Sequence, residues 1–256
     1  MNIRSFNDFT SYISGNEKEL KNKVQILSSG KIHENSPFSV ITSLKESNEL
    51  PTLVCGDPEI KLINESANKG LKVYNSFNLK KGNILKRFIS ENFMPKTVKD
   101  RNNVKRLNFP IIANGKNGSN TYKSLHMFKK SENDYDSFQE KIIPKTKYDI
   151  LMFREKPICV YEKINDTYRD KEVSRDLYEK IVGISSKIME SHGLDVYHMK
   201  IYESTQKKYY LKGINKCKDL NEKQANLLYI ELYEDHYGYP IPTWYKNKIT
   251  SLNADS

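Results

Sequence analysis

The sequence predicts a mixed α/β (α+β) fold, and three observations carry that expectation. Short apolar runs closed by turn residues recur along the chain, as in Leu50-Pro51-Thr52-Leu53-Val54-Cys55 before Gly56-Asp57-Pro58. One long stretch, 169–192, repeats apolar residues at helical spacing. Strand-like and helix-like segments alternate early, whereas later strands fall as adjacent pairs, the pattern of sheets with helices packed on them.

Taken in order, residues 1–35 read as helix then loop, with Phe6, Phe9, Tyr12 and Ile13 on one face and Ser14-Gly15-Asn16 as the break. Strands follow at Phe38–Ile41 and Leu50–Cys55, a helix at Pro58–Asn68, and a strand at Leu71–Tyr74 ending in the turn Asn75-Ser76. Asn83 is the N-cap of a helix with Ile84, Phe88 and Ile89 inward, and Pro95 forces an extended exit through Val98. Phe109–Ala113 reads as a buried strand, 114–120 as a loop of small polar residues, and Lys123–Phe128 as another strand. Phe138–Pro144 is strand and stop, and Tyr148–Phe153 with Pro157–Tyr161 is a hairpin turning at 154–156. Val173, Leu177, Ile181, Ile184 and Ile188 mark the longest helix, closed by Gly193. Val196–Tyr202 and Tyr209–Ile214 read as paired strands, and Asn221-Glu222-Lys223-Gln224 as a capping-box start to a last helix.

Composition narrows the function classes. The 256 residues carry 42 Lys and Arg against 32 Asp and Glu, a net charge of +10 that fits an anionic partner, whether nucleic acid, a phosphorylated ligand or an acidic polypeptide, with biased codon usage and an ordinary solvated surface as the alternative. No run approaches the 18 or so apolar residues of a membrane-spanning helix, so no membrane association is expected. The early Asp8 and the lack of an apolar run before it argue against a cleaved secretory leader. Cys55, Cys159 and Cys217 are far apart and odd in number, which argues against a disulfide framework or zinc site and for a cytoplasmic setting. The five histidines, His33, His126, His192, His198 and His236, form no metal-ligand spacing and read as structural. Tyr229, Tyr233, Tyr237, Tyr239, Trp244 and Tyr245 read as a core cluster, with a base-stacking surface as the alternative. No nucleophile elbow, Walker loop or dinucleotide fingerprint occurs.

The order of parts over residues 70–220 resembles an ATP-grasp ligase, in particular the branch of ribosomal-protein glutamate ligases and glutathione-synthetase-like enzymes. The resemblance implies an N-terminal α/β domain (1–94), a small subdomain with a flap loop (95–145) and a C-terminal subdomain (146–256), the last two enclosing a nucleotide cleft. Asn75-Ser76 matches the family's turn, and Lys86 its phosphate-contacting helix lysine. Pro110-Ile111-Ile112-Ala113 matches the strand that precedes the flap, but Asn114 stands at its phosphate-binding lysine, leaving Lys116 as the substitute; the flap glycines are reduced to Gly115 and Gly118. Gln139-Glu140-Lys141-Ile142 resembles the adenine hinge, with Glu140 and Ile142 as adenine contacts. Asp149 matches the ribose acid, while Leu151 replaces the family's arginine.

The departures concentrate at the metal end. The family places an Asp on one strand and Glu-x-Asn on the next, carboxylates that hold Mg²⁺ between phosphates. Here Lys200 replaces the Asp and Gly213 the Glu, and Asn215 alone is retained, with Asp195, Glu203 and Asp219 as candidate displaced ligands. ATP is thus the expected cofactor, magnesium in the family's manner is not, and no catalytic residue is assigned. Two readings follow: a nucleotide-binding or structural pseudoenzyme that acts on an anionic partner, and an active ATP-dependent carboxylate-amine ligase working through an acylphosphate.

Overall fold

The computed structural model describes residues 20–28, 30–41, 50–56, 72–75, 93–116, 118–131, 133–164, 167–192 and 194–251. The helices expected before residue 20, at Pro58–Asn68 and after Asn83 lie outside these residues, as does Lys86. Within them the mixed α+β expectation is met by three sheets.

The N-terminal sheet is wholly parallel, with β1 (Gln25–Ser28), β2 (Ser39–Ile41), β3 (Thr52–Cys55) and β4 (Val73–Tyr74) in the order β2-β1-β3-β4. Central β1 was not expected: its four residues, Gln-Ile-Leu-Ser, are too short a run to stand out from the preceding helix-then-loop reading. Parallel pairing leaves such strands buried on both faces, and all four residues of β3 are buried.

The small sheet is antiparallel, formed by β5 (Thr97–Val98), β6 (Ile111–Gly115), β7 (Gly118–Tyr122) and β8 (Ser137–Glu140) in the order β5-β8-β6-β7. Two expectations are corrected here. The supposed loop 114–120 is a tight hairpin with Gly115 opposite Gly118, whose φ of 118° suits glycine. The strand expected at Lys123–Phe128 is instead the short helix α1 (Leu125–Lys129), because Ser124 caps it by accepting a hydrogen bond from Met127 N. Phe128 and Phe138 meet edge to face and close a core with Val104, Ile111 and Ala113.

The large sheet contains β9 (Pro144–Phe153), β10 (Lys156–Ile164), β11 (Thr167–Asp170), β12 (Val196–Ser204) and β13 (Tyr209–Lys216), all antiparallel, in the order β11-β10-β9-β12-β13. Helix α2 (Arg175–His192) covers one face with Leu177, Ile181, Ile184 and Ile188, all buried against Ile150, Met152, Met199 and Ile201. Each such side chain is worth about 1.5–3 kcal/mol of burial. Helix α2 starts six residues later than its charge pattern suggested, since Arg169 and Asp170 belong to β11.

Helix α3 (Glu222–Tyr237) has the expected capping box, Asn221 with Gln224, and ends at Gly238 in the left-handed region. With α4 (Thr243–Ser251) it brings Tyr229, Tyr233 and Tyr245 into one core shared by β1, β3 and the end of β9. The C-terminal aromatics are therefore core, apart from the partly exposed Trp244.

Candidate functional site

Alternation along β9 and β12 sends Ile150, Met152, Met199 and Ile201 to α2, so Asp149, His198 and Lys200 project from the opposite face. Register then brings them together. Lys200 pairs with Asp149 on one side and Gly213 on the other, and His198 pairs with Asn215. His198 Nδ1 lies 3.0 Å from Asp149 Oδ1, and Lys200 Nζ lies 3.8 Å from Asp149 Oδ2. Burial disfavours the His198 imidazolium, but hydrogen bonds to Asp149 and Cys217 and the charges of those groups outweigh it and raise its pKa to about 9. The one carboxylate of this row is thus already matched by two cationic side chains.

Beside the connector 141–143, which joins the small sheet to the large one, opens a cavity of about 540 Å³. One wall comes from Met94, Lys96 and Glu140, the other from Lys180 of α2 and from Lys207, Lys208, Tyr209 and Tyr210 at the β12–β13 turn. Glu140 is committed within the small sheet, its Oε1 accepting from Asn108 N at 2.8 Å and Asn108 Nδ2 at 3.0 Å. Lys96 Nζ donates to Arg106 O at 2.9 Å, and Lys180 Nζ sits 4.2 Å from the centre of the Phe93 ring, where desolvation lowers its pKa. Burial, and then the charge of Glu140, raise the Tyr210 pKa. Four lysines against one engaged carboxylate give this cavity a positively charged lining.

Behind the polar row, two cysteines 162 positions apart are in contact, Cys55 Sγ lying 3.3 Å from Cys217 Sγ. The hydrogen bond from Cys55 lowers the Cys217 pKa; burial opposes this, and the hydrogen bond and charge of His198 reinforce it. Cys55 is correspondingly raised.

Of the residues singled out in the sequence, Asp149, Lys200 and Asn215 share one sheet face, and Glu140 and the half-buried Ile142 lie on or beside the connector. Lys116 stands apart, exposed at the tip of the β6–β7 hairpin. The three candidate displaced ligands are engaged elsewhere. Asp195 binds Arg154 and accepts from Asn75 N, Glu203 accepts from Tyr148 Oη at 2.7 Å, and Asp219 accepts from Lys31 N at 2.8 Å. Among the described residues no group of three or more His, Cys, Asp or Glu side chains is positioned to hold a metal ion.

Sequence spacing reads His198 as structural and gives neither the thiol pair nor the lysines of the cavity a role in a site. Period-two alternation from Lys200 marks His198 as its same-face neighbour; nothing local marks Cys55 and Cys217 as partners, because only the docking of β3 beside the end of β13 joins them.

No family model matches the sequence, and no curated protein matches it. Among solved structures, the chain is similar to D-alanine–D-alanine ligase from Bacillus anthracis complexed with ATP (12% identity, 90% of this chain, 98% of that one, TM-score 0.48). It is also similar to N5-carboxyaminoimidazole ribonucleotide synthetase from Thermotoga maritima (13% identity, 78% and 69%, TM-score 0.47) and to the ATP-grasp ligase PsnB complexed with precursor peptide and AMPPNP (14% identity, 78% and 76%, TM-score 0.47). Among the described residues, no helix is long and apolar enough to cross a membrane.

Proposed function

We propose that this chain is an ATP-grasp-like protein that binds a nucleotide or a related phosphorylated anion in the cleft beside the 141–143 connector, using lysines where a ligase uses magnesium. The observation that carries the reading is the cavity's lining of Lys96, Lys180, Lys207 and Lys208 against the engaged Glu140; the cross-strand set Asp149, His198, Lys200 and Gly213, on the sheet face opposite α2, supplies the contrast with a ligase. In the resembled family this region supplies carboxylates to a metal; here a lysine and a glycine occupy those positions, and the remaining carboxylate is neutralised by His198 and Lys200. Magnesium needs hard oxygen donors, and this donor set does not fit it.

The donors do fit phosphate. Lys96, Lys180, Lys207 and Lys208 of the cavity are point charges on flexible stems, suited to phosphate oxygens. Tyr209 and Tyr210 supply ring faces beside the connector for a base. Such a lysine neutralises phosphate charge but does not bridge two phosphates as a metal does, so the arrangement retains a nucleotide better than it activates one.

Calorimetry with ATP and ADP, with and without Mg²⁺, tests this. Binding that persists in chelator, weakens as salt rises, and falls about tenfold (about 1.4 kcal/mol) in Lys207→Ala/Lys208→Ala is expected. Mg²⁺-dependent ADP release with an amine and a carboxylate present would establish the active ligase instead. No heat and no shift in melting temperature with any nucleotide would remove both readings.

A further inference from the structure

We propose that Cys55 and Cys217 are an oxidation site, closing reversibly into an intramolecular disulfide that ties the N-terminal parallel sheet to the end of β13. Two segments from different sheets run side by side here. Gly56 N donates to Cys217 O at 2.6 Å, and the two sulfurs are 3.3 Å apart. Closing to a bond of about 2.05 Å therefore asks for an approach of roughly 1.2 Å, small beside the side-chain freedom of a thiol.

The far side of Cys217 is held. Leu220 N donates to Lys31 O, Asp219 accepts from Lys31 N, and Gly30 passes so close to Lys218 that an added Cβ would sit 2.2 Å from the Lys218 carbonyl oxygen. The exit of β13 is thus clamped against residues 30–32, and Cys217 cannot drift from Cys55 without breaking that clamp. Cys159, the third thiol, packs in the same core but hydrogen-bonds Tyr161 rather than a sulfur.

Both paired sulfurs are fully buried, so the oxidant must be small; a protein disulfide has no access. With hydrogen peroxide the balance closes as follows. One sulfur attacks a peroxide oxygen, the O–O bond breaks, and a sulfenic acid forms; the hydroxide released takes up the thiol proton and leaves as water. The second thiol then attacks the sulfenic sulfur, its S–O bond breaks, and the hydroxyl departs with the second thiol's proton as another water. Two thiols are oxidised by two electrons and one peroxide is reduced. His198 is hydrogen-bonded to Cys217 from the sheet face.

The test treats the purified full chain with a few equivalents of hydrogen peroxide, alkylates remaining thiols under denaturing conditions, and measures mass intact and after proteolysis. The expected result is a chain lighter by two hydrogens with one alkylatable thiol, a linked peptide pair carrying Cys55 and Cys217, reversal by dithiothreitol, and in Cys159→Ser the same link with no alkylatable thiol left. Retention of three alkylatable thiols overturns the proposal. So does preferential oxidation of Cys159, a link between two chains, or sulfinic acid at Cys217 without a Cys55 link. The decisive measurement uses the unmodified chain, so misfolding of Cys55→Ser or Cys217→Ser does not affect it, and it is independent of nucleotide binding.

Discussion

His198 Nδ1 reaches Asp149 Oδ1 at 3.0 Å along a diagonal of the β9–β12 pair, because the position directly opposite Asp149 belongs to Lys200 and that opposite His198 to Leu151. The carboxylate is drawn between two cations instead of facing an open cleft. This is the point at which the sheet face ceases to resemble a metal site.

That contact has a pH signature. The His198 pKa is about 9 in the folded protein against an ordinary 6.5, so its stabilisation is fully present below about pH 6.5 and is lost as pH rises through about 9. Thermal melts from pH 6 to 10 are expected to fall across that window. Asp149→Asn should flatten the fall and lower stability at pH 6 by about 1.5–3 kcal/mol, the usual worth of a hydrogen bond to a charged group. A His198 ring-proton titration by NMR with its midpoint near 6.5 would contradict this.

Asn75 is expected to be the most sensitive polar residue at the join between sheets. Its amide donates to Val54 O and to Val196 O, and its Oδ1 accepts from Asp195 N and Val196 N, all with the side chain nearly buried. Asn75→Ala strands four backbone groups and should cost about 3 kcal/mol or more in urea unfolding. Asn75 also holds φ at 61°, so Asn75→Gly separates the two contributions: glycine accepts that backbone and should still lose most of the stability. A glycine variant as stable as the parent would assign the residue's role to conformation alone.

Much of the architecture was legible because it is local. The apolar spacing of Leu177, Ile181, Ile184 and Ile188, and the capping pair Asn221 and Gln224, are signals contained within one helix. The β6–β7 hairpin is hidden in the sequence because Asn114, Ser119 and Asn120 have side chains typical of loops, whereas the Gly115–Gly118 turn lets them pair. The grouping of Asp149, Lys200 and Asn215 followed from the resemblance, but their state did not. Whether a carboxylate is free or spent depends on His198 across the sheet, and the thiol pair depends on contacts between sheets, neither of which is written in any one segment.

Asp235 should govern the acid limb of stability. Burial disfavours its charge, but hydrogen bonds from Lys72 and Tyr74 and the charges of Arg154 and Lys72 win, and its pKa is lowered. A depressed carboxylate contributes stability above its unfolded value, and loses it as pH falls through the folded one. Urea unfolding at pH 7 is expected to lose about 2 kcal/mol in Asp235→Ala, below the 3–5 of a fully buried pair because Lys72 and Arg154 are 41% and 39% exposed. The variant should also show a shallower decline below pH 4; an unchanged acid limb would move the effect to other carboxylates.

Placing acids at Lys200 and Gly213 tests whether bound phosphates reach this sheet face. Lys200 and Gly213 are cross-strand partners on the face that carries Asp149, and an added Cβ at Gly213 meets nothing within 4 Å. Lys200→Asp with Gly213→Glu therefore places two carboxylates beside Asp149 and Asn215 without a steric penalty at the glycine. Removing Lys200 also releases Asp149 from one of its two cations. Oxygen donors are then sufficient for a hard divalent cation, and Mg²⁺ should tighten ATP binding at least tenfold in the double variant while leaving the parent unaffected. Without metal, the added negative charge should weaken ATP binding relative to the parent, since like charges then face the phosphates. Calorimetry in chelator and in Mg²⁺ separates the two effects, and a double variant indifferent to Mg²⁺ would show that phosphates do not lie over this row.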